Sequence, residues 1–473
     1  MSFQSLSFLL FLAVSVPATL AAGRKNRTAG LWFLLISSVV FYLSGLDRQA
    51  VSGFLVLLGG VLVTYGAVTA RTTGRTLYPL AVCWHIGVLL WFKCAGWFAP
   101  ELYHGWMPLG LSFFTFQQLW LLAESARGNF SLRGEDRGAL LLYSFFFPSV
   151  TSGPILKPQN FFPQLKSGAF LHPNGQDVAA GLYALSLGTA KKVLLADPLG
   201  TVVANGWAMT DTLSAPAAWI TMLAYTLQLY LDFSGYCDIA TGCARLLGIR
   251  LPVNFNSPYR SLSVGEFWKR WHITLTSFLR ECLYFPLGGS KQGAGRAYLN
   301  ILIVFLVSGF WHGAGWTFLI WGGLHGLAQI VERVWGKGRL ALPKPLQWAL
   351  TFLFVNLAWV FFRAPNLSAA MDVFSAAVTG GWELPLVQLA SGVLDSEATA
   401  LGTLLALPDA ALSGLILSTL LAGGLVVSFW PKNTIQKMEE FRPNARSAVV
   451  CGGLLVWAIL SFSGVATFIY SNF

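Results

Sequence analysis

Long apolar segments separated by short polar links run through almost the whole sequence, and they restrict the possible folds more than any other feature. Charged residues make up only 11% of the chain and hydrophobic residues 55%, whereas a typical soluble domain carries about 25% charged residues. Lipid can solvate this many apolar faces, and a backbone in lipid must satisfy its own hydrogen bonds. We therefore predict an all-α polytopic membrane protein, and we exclude a disordered chain, a disulfide scaffold and a soluble nucleotide-binding enzyme.

The apolar segments predict about ten transmembrane helices together with re-entrant or hairpin segments. The predicted spans lie near residues 7–22, 29–44, 50–69, 77–97, 106–124, 178–203, 215–236, 345–363, 412–430 and 447–470. The run 139–152 is shorter than the roughly 20 residues that a span needs and ends at a Gly-Pro break, so we expect it to be re-entrant. We treat residues 1–473 as a single membrane domain.

Loop charge predicts the orientation of these spans. The net charge is +11, and its basic residues lie mostly in short loops, such as Arg24–Arg27 and Lys432–Arg446, that we place in the cytoplasm near anionic lipid headgroups. This puts the N-terminus outside and makes 365–411 an external, net-acidic loop. The basic residues do not form the single polar face that nucleic-acid binding requires, so we exclude that function.

His312 is the sharpest candidate for chemistry. It follows the apolar run Leu299–Trp311, which at about 1.5 Å per residue covers roughly 20 Å of a ~30 Å hydrocarbon core. The break Gly313-Ala314-Gly315 and cytoplasmic charge on both sides predict a hairpin with His312 near its apex, inside the membrane. Such a histidine either holds two helices together through hydrogen bonds or acts as a general base.

Other ionisable residues in or beside apolar segments are weaker candidates. His272 lies on an expected amphipathic helix, Phe267–Leu279, which carries Lys269, Arg270 and Arg280; this helix either anchors the chain at the membrane surface or receives a phosphate-bearing donor. His325 is a further candidate. Asp232 and Asp238 either end a helix or form an ion pathway, and Lys191-Lys192 either face a cavity or lie outside the span. The histidine spacings do not favour a metal site, and the six cysteines are expected to be small core residues.

Five ordered motifs give the sequence a specific resemblance. The motifs are Tyr230–Tyr236, Asn254–Tyr259, Glu266–Leu275, Leu283–Gly289, and Gly309–Trp316 with Trp321–Gly326. Together they resemble the membrane-bound O-acyltransferase family, and most closely its bacterial alginate O-acetyltransferase branch. The core motifs cover 230–326, and looser similarity extends over most of the chain.

The resemblance implies that the helices surround a central pore. It also implies that His312 is the catalytic histidine and His272 the second active-site histidine. It implies a multi-pass protein of the bacterial inner membrane that takes acetyl groups from cytoplasmic acetyl-coenzyme A, with no bound cofactor, for O-acetylation of an extracytoplasmic polysaccharide. A periplasmic or extracellular partner of the SGNH type is expected to receive the acetyl group. The expected substrate-binding residues are Asn254, Lys269, Arg270, Trp271, Arg280, Tyr284 and Trp311, with Arg260 as a further cation for the donor phosphates. D-alanyl transfer to teichoic acid and proton-coupled transport remain the alternatives.

Overall fold

The computed structural model describes residues 1, 3–44, 48–70, 77–98, 107–132, 137–336 and 342–464, and these residues form helices and their connections without a strand. The helices, in chain order, are α1 (Leu6–Lys25), α2 (Arg27–Leu43), α3 (Arg48–Thr69), α4 (Leu77–Phe98), α5 (Leu111–Ala126), α6 (Arg137–Phe145), α7 (Phe147–Val150), α8 (Pro158–Lys166), α9 (Gly175–Ala190), α10 (Asp197–Ala208), α11 (Ala215–Leu246), α12 (Val264–Arg270), α13 (Ile273–Leu279), α14 (Ala294–His312), α15 (Trp316–Trp335), α16 (Lys344–Arg363), α17 (Leu367–Thr379), α18 (Leu386–Ala390), α19 (Asp395–Leu405), α20 (Asp409–Ser428), α21 (Thr434–Glu440) and α22 (Ala445–Leu460).

The apolar segments have the lengths of membrane spans, which confirms the polytopic helical class. Within the described ranges, seven helices are long and apolar enough to cross a membrane, and three shorter apolar helices, Arg27–Leu43, Leu367–Thr379 and Ala445–Leu460, accompany them. Many of their large apolar side chains are exposed, such as Leu10, Leu55 and Leu80. In a membrane protein such side chains face lipid, so their exposure is consistent with this class.

The longest helical structure is formed by α9, a π-helical turn (Lys191–Ala196) and α10, which continue one another and pack against α11. The backbones of α9 and α11 approach closely at Gly188 and Gly235. A Cβ atom on Gly188 would lie 2.7 Å from the carbonyl oxygen of Gly235. This contact allows the two helices to form the centre of the bundle, where most residues of α11 are buried.

The predicted spans 178–203 and 215–236 were both too short. The helix α11 continues to Leu246, so Asp232 and Asp238 lie within it and do not end it. Lys191 pairs with Asp238, and Lys192 pairs with Asp197 and Asp232. A lysine inside an apolar helix is stabilised when buried carboxylates from a neighbouring helix compensate its charge, which explains the two lysines in mid-run.

The region 365–411, which the sequence analysis describes as an external net-acidic loop, is mostly helical. It contains α17, α18 and α19, of which α18 packs on α20 and α17 on α11. The expected re-entrant run 139–152 forms two short helices, α6 and α7, that are interrupted at Phe146. Span 106–124 corresponds to α5, which begins only at Leu111.

The hairpin expected around His312 is present and consists of α14 and α15. Its first helix starts at Ala294, five residues before the predicted run, so its 19 residues extend for about 28 Å. The expectation of a segment too short to cross the hydrocarbon core was therefore wrong. The two helices touch through glycines: a Cβ atom on Gly309 would lie 2.3 Å from the Phe318 carbonyl oxygen, and one on Gly322 would lie 2.3 Å from that of Phe305. This close contact places His312 at the end of α14, directly beside α15.

Candidate active site

His312 is the last residue of α14 and lies in an aromatic enclosure. Only 4% of its surface is exposed, and its ring centroid lies 4.3 Å from that of Trp311, 5.1 Å from that of Trp321 and 4.9 Å from that of Phe362. The rings meet it at steep angles, so their edges and faces exclude water from most sides. His272 and Lys93 are near enough for their charges to act on the His312 ring. The position combines burial with two neighbouring polar groups.

His272 occupies a break between two short helices. The expected continuous helix Phe267–Leu279 does not form, because α12 ends at Arg270 and α13 begins at Ile273. His272 itself has a left-handed backbone with φ of 43°, a conformation that is uncommon for a residue other than glycine and often marks functional sites. Its side chain is 1% exposed and packs edge to face against Phe233 at 4.8 Å.

Asn254 fixes the orientation of His272. Its Oδ1 atom accepts hydrogen bonds from the backbone N–H of Thr274 at 3.2 Å and the Thr274 hydroxyl at 2.8 Å, and it lies 3.2 Å from Nδ1 of His272. Because a carbonyl oxygen only accepts, Nδ1 must carry the proton that it donates. The lone pair therefore lies on Nε2, which has no hydrogen-bond partner in the part of the chain that the structure describes.

Several other predicted site residues are held in place by contacts within the protein. His325 is fully buried, and its Nδ1 accepts a hydrogen bond of 3.1 Å from Nε1 of Trp268. Trp271 is packed among aromatic rings, with Phe267 stacked on it at 5.4 Å. Arg270 pairs with Glu266 at 2.8 Å and donates to the Asn256 carbonyl. These contacts tie the connection between α12 and α13 to its surroundings.

Arg280 and Tyr284 line an apolar cleft between α13, α14 and α15. The cleft has a volume of about 650 Å³, and Arg333 and Gln329 also line it. Ser308, one helical turn before His312, belongs to its lining as well. Arg260 and Lys269 are exposed and do not line this cleft. The structure thus brings Arg280 and Tyr284, but not Arg260 and Lys269, into a recess that also contains Ser308.

A second, polar recess of about 520 Å³ lies beside α21 and includes Asn254 in its wall. Lys191, Lys437 and Asp238 line it. Burial of Lys437 and the nearby Lys191 ammonium lower the pKa of the Lys437 side chain. The lining of this recess includes Asn254, which orients His272, but neither His272 nor His312.

The structure adds two residues that the sequence analysis missed. Lys93 and Ser308 both line an apolar groove of about 1060 Å³ between α4, α5, α13 and α14, and the predicted site residue Trp311 lines it too. The Lys93 ammonium lies 5.5 Å from the centre of the Trp311 ring. A charged residue inside the predicted span 77–97 was a signal that could have identified Lys93. Ser308 could have been found from its i−4 relation to His312.

The fold and site define a polytopic helical membrane protein with a buried histidine at the apex of a hairpin and a second buried histidine in the connection between α12 and α13. Residues 69–369 match the model of MBOAT, the membrane-bound O-acyltransferase family. The chain belongs to this family and is an O-acyltransferase, which removes a proton-coupled transporter from the alternatives.

Curated relatives support this membership over most of the chain. The chain is 37% identical over 402 residues to a peptidoglycan O-acetyltransferase of Helicobacter pylori, covering 76% of each protein. It is 34% identical over 411 residues to a probable alginate O-acetylase of Pseudomonas aeruginosa, covering 81% of this chain and 76% of that protein. A teichoic acid D-alanyltransferase of Streptococcus thermophilus is 27% identical over 248 residues, covering 50% of this chain and 59% of that protein.

Proposed function

We propose that this protein transfers acetyl groups from cytoplasmic acetyl-coenzyme A across the membrane for O-acetylation of an extracytoplasmic polysaccharide, either an exopolysaccharide or peptidoglycan. The observation that carries the proposal is the position of His312, which is buried at the hairpin apex. It lies one helical turn after Ser308, which lines a cleft that also contains two arginines. The relatives that act on peptidoglycan and alginate support the choice of an acetyl group and a polysaccharide.

In the proposed reaction, His312 is the general base. Its neutral imidazole takes the proton from an acceptor hydroxyl as the hydroxyl oxygen attacks the thioester carbon. The new C–O bond forms, the C–S bond breaks, and the thiolate of coenzyme A receives the proton from His312. A variant of this route has His312 carry the acetyl group transiently before it passes to the acceptor. The aromatic enclosure excludes water and so limits hydrolysis of the thioester.

His272 is assigned a second role at the same centre. Its free Nε2 lone pair, fixed by Asn254, suits a hydrogen bond to a donor group, such as an acceptor hydroxyl or a protonated His312. The lack of another partner for Nε2 within the described ranges supports this assignment. Asn254 is then a positioning residue that acts through His272.

The donor is proposed to enter through the cleft lined by Arg280, Arg333 and Tyr284. Its arginines can pair with the phosphates of coenzyme A, its apolar walls suit the pantetheine arm, and Ser308 lies at the turn before His312. The polar recess at Lys191 and Lys437 is a weaker candidate because its lining stops at Asn254.

The acetyl group is proposed to leave on the extracytoplasmic side of the bacterial inner membrane, where an SGNH-type protein receives it. The orientation follows from the basic links between α1 and α2 and between α20 and α22, which we place in the cytoplasm. The N-terminus and the helical region 365–411 then lie outside, and this region is a possible surface for the partner.

D-alanyl transfer to teichoic acid is the second candidate. It is supported by the relative of that name, but the identity and the share of the chain matched are both lower than for the two acetylating relatives. Acetyl transfer is therefore the preferred reaction.

The test is the amount of base-labile acetate on envelope and secreted polysaccharides in cells that carry His312→Ala. We expect this variant to lose the acetate that the wild-type protein adds, at equal abundance in the membrane. His172→Ala, a change at an exposed histidine, is the matched control and should retain it. Unchanged acetate in every fraction of the His312→Ala cells contradicts the proposal, and loss of D-alanine in place of acetate supports the second candidate.

A further inference from the structure

The groove between α4, α5, α13 and α14 contains hydrogen-bond donors, one of which, Trp311, is the residue before His312. Its walls are mostly apolar and are formed by side chains such as Ile86, Phe116 and Phe278. The lining also includes three side chains with N–H or O–H donors, Lys93, Ser308 and Trp311. The groove shares Leu275, Leu279 and Ser308 with the proposed donor cleft. A donor that reaches Ser308 through the cleft can therefore present an acceptor oxygen to the groups in this groove.

Two of these donors are buried without a partner. Ser308 is 2% exposed and Trp311 is 4% exposed, and within the described residues neither the Ser308 hydroxyl nor Nε1 of Trp311 has a hydrogen-bond partner. A buried donor without an acceptor costs about 1–3 kcal/mol. Ser308 and Trp311 lie within one turn of the same helix and line the same groove, so an acceptor bound there would satisfy both donors.

Lys93 adds a positive charge at the same place. Its ammonium lies over the face of Trp311, and no carboxylate of the described chain forms an ion pair with it. An ionisable group in a membrane-spanning helix is costly unless a partner or a ligand compensates it. The contrast with Lys192, which two carboxylates hold, shows that this chain supplies counter-ions where a lysine is structural.

We propose that Lys93, Ser308 and Trp311 form the oxyanion site of the acyl transfer, binding the carbonyl oxygen of an acyl thioester. The proposal rests on the function proposed above. When the acceptor oxygen bonds to the carbonyl carbon, the π pair of the C=O bond moves to the carbonyl oxygen, which becomes anionic. The ammonium and the two donors stabilise this charge; the C=O bond then re-forms, the C–S bond breaks, and the thiolate takes the proton that His312 holds.

The proposal predicts an effect on turnover and not on donor binding, because the negative charge exists only in the transition state. Acetyl transfer is measured in inverted membrane vesicles over a series of acetyl-coenzyme A concentrations, with the product counted as base-labile acetate. Removal of one donor from an oxyanion site lowers kcat by about 10²–10³-fold. We expect Lys93→Met to lower kcat by about 100-fold with KM nearly unchanged.

Three further variants separate charge and hydrogen bonding from packing. Lys93→Arg keeps the positive charge and is expected to restore most of kcat. Ser308→Ala and Trp311→Phe each remove one donor while leaving most of the packing, and each should lower kcat by about 10-fold or more. The matched control is Trp91→Phe, which removes an indole N–H from an exposed position of the same helix as Lys93 and should leave kcat unchanged.

The outcomes distinguish this proposal from the one on which it rests. If His312→Ala is inactive while Lys93→Met keeps full kcat, or loses activity only through a raised KM, the oxyanion site is wrong and the acetyl-transfer proposal stands. If His312→Ala keeps its activity, the acetyl-transfer mechanism itself is wrong. Equal abundance and an unchanged thermal midpoint of the purified variants establish that a lost activity does not reflect unfolding.

Discussion

At the scale of single residues, the orientation of His272 depends on one amide oxygen. Oδ1 of Asn254 accepts from Thr274 and contacts Nδ1 of His272, so it fixes both the ring position and the tautomer. We predict that Asn254→Ala lowers kcat by about 10–100-fold, in the range found when a partner that orients an active-site histidine is lost. The measurement is the vesicle acetyl-transfer assay with acetyl-coenzyme A.

The control for this prediction is Asn205→Ala. The Asn205 amide donates two hydrogen bonds to the carbonyls of Leu389 and Ser391, away from the histidines, so its loss should affect stability without a specific effect on turnover. Equal activity of Asn254→Ala and Asn205→Ala, at matched abundance, would show that the Asn254 contact has no positioning role.

Some single-residue features of the site could be predicted from the sequence and others could not. The apex position of His312 followed from the Gly313–Gly315 break, which is a local feature, although the length of the helix before it was underestimated. The contact of Asn254 with His272 could not be derived, because it depends on how a loop returns across 18 positions to meet a break between helices. The break at His272 was also missed: apolar spacing alone cannot distinguish one helix from two helices that share the same buried face.

At the scale of elements, the α14–α15 hairpin depends on glycine at its contact. We predict that Gly322→Ala destabilises the protein by about 1–3 kcal/mol, the usual cost of overpacking, because the new methyl group would overlap the Phe305 carbonyl oxygen. Gly323→Ala is the control on the next residue, where the nearest atom lies 3.9 Å away on the Leu306 side chain. The measurement is the thermal midpoint in detergent, which should fall for the first variant only.

The buried lysine in the π-helical turn provides a second prediction for an element. Lys192→Met leaves Asp197 and Asp232 buried without their cation, and loss of one partner of a buried pair costs about 3–5 kcal/mol. Lys432→Met breaks an exposed pair with Glu440, and such pairs contribute only about 0–1 kcal/mol. A much lower yield of folded protein is therefore expected for Lys192→Met alone; similar yields for both would show that the buried pair is not structural.

At the scale of the whole molecule, composition was sufficient to predict a polytopic helical membrane protein. It could not predict the lengths of the central helices or how they pack. The even distribution of apolar segments predicted the polytopic helical fold, since lipid leaves few other possibilities. The length of α11 was underestimated because its second half contains Asp232, Asp238 and Arg245, which look like a span boundary. These charges are tolerated because α9 and the following turn provide complementary groups, and such pairing becomes visible only after the helices are packed.

The same reasoning predicts how the whole molecule lies in the membrane. The link between α20 and α22 is basic and the region 365–411 is net acidic, so the positive-inside rule places the first in the cytoplasm and the second outside. In a variant without the native cysteines, Arg442→Cys and Ser396→Cys introduce exposed thiols on these two regions. A membrane-impermeant maleimide should label Ser396→Cys in intact spheroplasts and Arg442→Cys only after permeabilisation. The reverse pattern would place the acidic region in the cytoplasm, and the proposed exit of the acetyl group on the side of 365–411 would then be wrong.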